Sequence, residues 1–185
     1  VSTPTYQVGE SFEFALPDTG AGGETRTATE LAGSHDYVVA VLLRDHYCPR
    51  SRQLVQSLAA AYEELAGRST AVVPVLPDCP ERASVWQRRY DLPFGLLTDP
   101  KSVADDGNAF DAFEPFQRLL PECPGSVLFE SDGDQLRFAR TVQTDRASDA
   151  SAVDAVLAAI DDHATDSVVD PVGTGPDAEA AGDGF

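Results

Sequence analysis

Apolar residues in this chain gather in short dense runs, separated by longer segments in which they recur periodically. "YVVAVLLR" (37–44) and "TAVVPVLP" (70–77) are continuous apolar runs of strand length, the pattern of strands buried on both faces. Between them, residues 49–67 carry Leu54, Leu58, Tyr62 and Leu65 on one helical face, and Gly67 suits the helix end. Pro80 fits the first position of a helix over 80–90, with Cys79 near its N-cap, and "FGLLTD" (94–99) reads as a short strand. "GSVLFES" (125–131) and "QLRFARTVQ" (135–143) flank "DGD" (132–134), a hairpin turn signal. Val153, Val156, Leu157 and Ile160 follow the i, i+3, i+4, i+7 spacing of a last helix, with Ser151 and Asp154 as candidate caps.

Less regular segments fill the rest. "ALPDTGAGGETRT" (15–27) reads as a Gly-rich turn region, and Thr27 with Glu30 makes a capping box for a helix over 28–34. Residues 102–120 are mixed and helical in part, and there is no internal repeat. From 165 onward the chain is rich in Gly, Pro, Ala and Asp and has no basic residue, which predicts a disordered acidic tail (165–185) behind one domain (1–164). The order is strand–helix–strand–helix, then a hairpin, then a helix. Its first half requires a parallel crossover pair and its hairpin an antiparallel one. That is the layout of a thioredoxin-like α/β fold, a central mixed sheet flanked by helices.

Composition narrows the function classes. The 185 residues, 42% of them apolar, suit a single domain with a sizeable core. Net charge is −18, from 31 acidic against 13 basic residues, and Lys101 is the sole lysine. Arginine retained, lysine nearly absent and carboxylates spread along the chain resemble the proteome habit of salt-loving archaea, where high salt screens self-repulsion. The same balance argues against nucleic-acid and anionic-membrane partners, which need a basic face. Nothing approaches the roughly 18 consecutive apolar residues of a membrane span. The first residues lack the basic-then-apolar order of a secretory signal, so a cytoplasmic location is expected. No phosphate loop, GxSxG or HExxH occurs.

Cys48, Cys79 and Cys123 are an odd number without a CxxC pair, which argues against a disulfide framework and a zinc ribbon. Cys48 lies in "LLRDHYCPRSRQL" (42–54), at the C-end of a strand and the N-end of a helix. There it meets exposed N–H groups and the positive end of the helix dipole, which favour thiolate over thiol. Arg44, His46, Arg50 and Arg52 add positive charge in an otherwise acidic chain, Asp45 subtracts some, and Pro49 fits the first helical turn. Such surroundings lower a thiol pKa from roughly 8.5 toward roughly 4–7 and make it nucleophilic. The competing reading is a small buried cysteine at a junction, with arginines for solubility.

Here the chain resembles the peroxiredoxin-type redoxins of the thioredoxin superfamily. "YCPRS" (47–51) sits where that superfamily places its aromatic–CxxC motif, with Ser51 in place of the second cysteine. "VGESFEFALPDTG", "VLLRDHYCP", "PDCPERASVWQRRYDLPFGLLTDP" and "PGSVLFESDGDQL" resemble further peroxiredoxin segments, in family order over about residues 8–143. Three positions depart from the pattern. Asp45 stands where a hydroxyl is usual, Val41 where a proline is usual, and Pro124 where an arginine is usual. Pro124 instead matches the cis-proline position of thioredoxins.

The resemblance implies a thiol-dependent oxidoreductase without a cofactor. Cys48 would be the nucleophile, its thiolate stabilised by Ser51 and the helix start, with Arg44 or Arg50 orienting an oxidant. Tyr47 and Pro124 would line the substrate site. If strand 125–131 lies antiparallel to 37–44, Cys123 falls beside Cys48 and serves as a resolving thiol, with Cys79 ranked second. Two enzymes fit: a peroxidase, and a thiol–disulfide oxidoreductase acting on protein disulfides through Cys48 and Cys123. A third reading is a degenerate redoxin that binds a partner or a soft metal through His46, Cys48 and Cys123. The partners implied are a peroxide or protein disulfide, a thioredoxin-like or small-thiol reductant, and a second copy of the chain in a homodimer. His35 and His163 read as surface residues, and Asp99 and Glu130 lie near strand ends.

Overall fold

The computed structural model describes residues 6–20, 24–100, 110–142 and 149–168. In chain order these form β1 (Ser11–Phe12), β2 (Ala15–Pro17), β3 (Thr25–Thr27), α1 (Ala28–Ser34), β4 (Tyr37–Leu42), α2 (Pro49–Ala60), α3 (Tyr62–Ala66) and β5 (Thr70–Leu76). There follow α4 (Pro80–Arg89), β6 (Leu97–Thr98), α5 (Glu114–Leu119), β7 (Gly125–Asp132), β8 (Gln135–Val142) and α6 (Asp149–Val168). One sheet has the order β1-β8-β7-β4-β5-β6, and β2 with β3 makes a small second one. The β4–β5 and β5–β6 pairs are parallel; β7 is antiparallel to β4 and to β8. The fold is therefore a thioredoxin-like α/β fold.

The continuous apolar run of β4 follows from its central place. Val39 and Val41 enter one core with Leu54, Leu58, Trp86 and Ile160, under α2, α4 and α6. Val38, Ala40 and Leu42 enter the opposite core with Phe12, Phe113, Phe116 and Phe129. A strand covered on both faces has no polar side to show. In β5, Leu76 O accepts from Asp99 N–H on the β6 side. Pro74, two residues back, faces the same way, beyond the short β5–β6 ladder at Val75 and Leu76, so its missing N–H removes no ladder bond.

The capping box is present: Thr27 Oγ1 accepts from Glu30 N–H at 3.2 Å, and Glu30 Oε2 accepts from Thr27 N–H at 3.0 Å. Gly67 ends the helical segment as expected, as the C-cap of α3 in the right-handed region (φ −61), and Ser69 (φ 52) makes the left-handed step into β5. Other expectations need correction. The helix over 49–67 is interrupted at Ala61 (φ −95, ψ 8), giving α2 and α3. The segment 15–27 holds the β2–β3 ladder rather than turn alone. Helix α6 starts at Asp149, which places Ser151 and Asp154 inside it, and it runs past 164 to Val168. Tertiary contacts hold its last turns: Asp161 Oδ1 accepts from Arg68 Nε at 2.8 Å, His163 Nε2 meets Glu130 Oε2 at 2.9 Å, and Asp166 pairs with Arg140 at 3.8 Å. His163 is thus held against β7, and His35 is partly buried with Nδ1 3.3 Å from Leu31 O. The expectations for 102–109 and for 169–185 lie outside the described residues.

Asp99 follows β6 and is buried, accepting from Ala112 N–H at 3.0 Å and Phe113 N–H at 2.9 Å. Burial raises its carboxyl above the usual range, while those two N–H groups pull the other way. The carboxylate pins the start of α5 and with it the chain leading to Cys123. Asp99→Ala orphans both N–H groups and is expected to cost about 2–4 kcal/mol of unfolding free energy. Urea denaturation checks this, and a loss below about 1 kcal/mol would show the two bonds to be replaceable.

Candidate functional site

Three connections meet at one edge of the sheet: the β4–α2 loop, the β5–α4 loop and the chain entering β7. Register explains why. Leu42 at the end of β4 pairs with Gly125 at the start of β7, so residues just after the one lie beside residues just before the other. Cys48 is the N-cap of α2, with Pro49 in the first turn. It is 8% exposed, and its Sγ accepts from Ser51 N–H at 3.4 Å. The helix start therefore delivers a backbone donor and its dipole to the sulfur, which favours negative charge there.

Ser51 acts on the sulfur through its backbone. Its buried hydroxyl oxygen accepts from Arg44 N–H at 3.0 Å, which ties the end of β4 to the first turn of α2. The sequence pattern placed Ser51 at the thiolate; its N–H meets the sulfur, while its hydroxyl holds the loop. Asp45 closes the same loop, accepting from Tyr47 N–H at 2.8 Å.

Cys123 is half-buried, joins Pro124 through a cis peptide bond, and packs against the core on the Phe116 side of the sheet. Burial, and then the charge of Cys48, push its thiol up to about 11. The Leu42–Gly125 register brings Cys48 and Cys123 to the same end of the sheet, and both are free thiols. Cys79 caps α4 without a side-chain hydrogen bond.

The arginines flank the thiols. Arg44 is 70% exposed and pairs with Asp45 at 3.6 Å; Arg50 is 44% exposed and pairs with Glu122 at 3.7 Å. Arg52 donates to Tyr47 O at 3.3 Å. Arg44, Arg50 and Cys123 share the wall of a pocket of about 460 Å³. Tyr47 is 72% exposed and lies over His46, with ring centroids 3.7 Å apart.

Asp78 completes the edge, and sequence reasoning did not single it out. Its Oδ2 is 2.5 Å from His46 Nδ1, and it accepts from Arg82 Nη1 at 3.0 Å and from Cys79 N–H at 2.8 Å. Burial raises its carboxyl, but the Cys79 N–H, Arg82 and His46 outweigh that and hold it below the usual range. An acid directly before a cysteine at a strand end, on the edge that carries His46, was the available signal. This contact turns His46 toward β5–α4 rather than into a set with Cys48 and Cys123. Among the described residues, no group of three His, Cys, Asp or Glu side chains is placed to hold a metal ion.

A cysteine capping the first helix after a central strand, opposite a cis-proline, defines the chain as a redoxin of thioredoxin-like fold. It belongs to the AhpC/TSA family, whose model matches residues 8–121. Among solved structures it is similar to the peroxidoxin BcpB from Mycobacterium tuberculosis, at 18% identity and TM-score 0.62, covering 85% of this chain and 97% of that one. It is also similar to the bacterioferritin comigratory protein of Xanthomonas campestris, at 17% identity and TM-score 0.60, covering 82% and 92%. A putative thiol:disulfide interchange protein DsbE from Chlorobium tepidum matches at 19% identity and TM-score 0.55, covering 84% and 99%. No curated protein matches the sequence significantly. Among the described residues, no helix is long and apolar enough to cross a membrane.

Proposed function

We propose that this chain reduces peroxides with Cys48 as the nucleophile and Cys123 as the resolving thiol. The observation that carries the reading is Cys48 Sγ on the Ser51 N–H at the start of α2, with Cys123 brought to the same end of the sheet by the pairing of Leu42 with Gly125. The Cys48 thiolate attacks the peroxide O–O bond, becomes a sulfenic acid and releases water or an alcohol. The Cys123 thiolate then attacks the sulfenic sulfur, the S–S bond forms and water leaves. In this reading Arg44 and Arg50, which line a pocket with Cys123, orient the peroxide, and Tyr47 and Pro124 contact it.

Peroxide titration with mass spectrometry of the three cysteines, in the wild type and in Cys123→Ser, tests this. The expected result is oxidation of Cys48 at sub-stoichiometric peroxide and a Cys48–Cys123 link. In Cys123→Ser, Cys48 should stop at sulfenic or sulfinic acid. A Cys48 that stays a thiol would favour a redoxin that only binds a partner.

A second reading is a thiol–disulfide oxidoreductase using the same two cysteines. Pro124, standing where a peroxiredoxin arginine is usual, and the likeness to an interchange protein favour it. Rapid reduction of a protein disulfide, without sulfenic acid on peroxide treatment, would select it.

The high Cys123 value gives a pH prediction. At neutral pH this thiol is almost wholly protonated, so the attacking thiolate becomes more abundant as pH rises toward about 11. Once Cys48 is oxidised its charge is gone, and only the burial contribution to that elevation remains. Disulfide formation after a peroxide pulse is expected to accelerate about five- to tenfold per pH unit between roughly pH 7 and 8.5. Stopped-flow acid quenching reads it, and a flat profile would remove Cys123 as the attacking group.

A further inference from the structure

The pocket beside the two thiols has a wall chemistry of its own. It holds about 460 Å³, within the range of small-molecule sites. Cys123 lies in its lining with Arg44, Arg50, Gln117, Leu120 and Glu122. The ion pairs of the two arginines are long and exposed, Arg44 to Asp45 at 3.6 Å and Arg50 to Glu122 at 3.7 Å. Pairs of that kind are worth little. A carboxylate entering the pocket replaces them with charge-assisted hydrogen bonds, displacing Glu122 from Arg50. The chain as a whole carries −18 and repels anions at long range. Two arginines on this one wall oppose that field where a ligand meets the sulfur.

Resting on the peroxidase reading of Cys48 and Cys123, we propose that the electron donor for their disulfide is a low-mass thiol bearing a carboxylate, held by Arg44 and Arg50 as it attacks Cys123. The donor thiolate forms a bond to Cys123 Sγ. The protein S–S bond breaks, and Cys48 leaves as the thiolate received by Ser51 N–H. A second donor thiolate attacks the donor sulfur of the mixed disulfide, releasing a low-mass disulfide and the Cys123 thiolate, which takes a proton from solvent. Two donor thiols lose two electrons, and the protein disulfide gains them. The direction of attack follows from access: Cys123 lines the pocket, whereas Cys48 is buried and is not part of its lining, so Cys48 is the sulfur that leaves, onto the Ser51 N–H.

The test uses a charge ladder of probes on the oxidised full chain: 3-mercaptopropionate, 2-mercaptoethanol and cysteamine. Rates are normalised to thiolate concentration and followed by intact mass and by trapping of the mixed disulfide. The disulfide is prepared with peroxide and, separately, with diamide, which needs no peroxidase chemistry. In the wild type, mercaptopropionate should be about tenfold or more faster than cysteamine, with the adduct on Cys123. The preference should collapse in the R44Q/R50Q double variant, whose side chains are exposed, and rise in Glu122→Gln.

Equal or reversed order in the wild type, a preference that survives R44Q/R50Q, or an adduct on Cys48 overturns the proposal. So does a disulfide reduced readily by a reduced thioredoxin-type protein but not by the three probes. Peroxide failing where diamide succeeds overturns only the peroxidase reading. Failure of both oxidants to link Cys48 to Cys123 overturns both.

Discussion

Cys48→Ser is expected to lower the second-order rate of peroxide consumption by about a thousandfold or more, to the background of the remaining thiols. A serine hydroxyl at this N-cap still accepts from Ser51 N–H, so the helix start and the loop are kept and the change is chemical. The serine oxygen is not ionised at neutral pH and does not accept the electrophilic oxygen of a peroxide. The same variant must also lose the Cys48–Cys123 link and every sulfenic-acid signal at this site. Cys79→Ser serves as the comparison. Its thiol caps α4 without a side-chain hydrogen bond, and Cys48, not Cys79, is the cysteine whose charge acts on Cys123. Cys79→Ser should therefore change the rate by less than about threefold. Peroxide consumption that survives in Cys48→Ser and falls in Cys79→Ser would move the nucleophile to the β5–α4 loop and end the assignment to Cys48.

Gly95→Ala carries the largest expected effect on stability, about 3–5 kcal/mol of destabilisation. A Cβ at Gly95 would stand 1.8 Å from Asp18 Oδ1 and 2.6 Å from its Cγ. Asp18 has nowhere to retreat. It is buried, its Oδ1 accepts from Gly20 N–H at 2.8 Å, and its Oδ2 accepts from Arg26 Nε at 3.1 Å. Gly20 is close behind, since a Cβ there would meet Gly95 Cα at 2.7 Å. The added methyl must break the Asp18–Arg26 pair or push the β2–β3 ladder from the strap leading into β6. A double-mutant cycle separates these routes. In an Asp18→Ala background the clash with the carboxylate is gone, so Gly95→Ala should cost less than half as much there. Additive losses would place the strain in the backbone rather than at Asp18. Chemical denaturation of the four proteins reads the result, and a Gly95→Ala loss below about 1 kcal/mol contradicts the packing described.

Much of the sheet was legible because its centre is covered on both sides. Residues 37–44 and 70–77 are apolar almost throughout because neither face of those strands meets water, and a half-exposed strand would alternate instead. The Thr27–Glu30 box and the Gly133 turn were equally readable, because each is set by residues a few positions apart. The full length of α6 was not readable. Its last turns meet Arg68, Glu130 and Arg140 of other elements through Asp161, His163 and Asp166, contacts that no local pattern announces. Ser69 rather than Gly67 takes the left-handed step because Gly67 is still within the helical geometry at the end of α3.

The site divides in the same way. Chain order alone was enough to set Cys48 at a strand–helix junction, with Pro49 behind it and arginines around it. Helix dipole and unpaired N–H groups act locally, so that much chemistry travels with a dozen residues. Most of what faces what was settled by the folded sheet. Cys123 beside Cys48 followed from the sequence only on condition of an antiparallel strand pair, and the register of Leu42 on Gly125 supplies it. Folding gave the Ser51 hydroxyl to Arg44 and its N–H to the sulfur, turned His46 onto Asp78, and set Arg44 and Arg50 on one pocket wall. The decisive pairings, Cys48 with Cys123 and His46 with Asp78, join residues far apart in the chain. Their partners depend on pairing register and on which charge is nearer across a loop, distances that exist only once the sheet has closed.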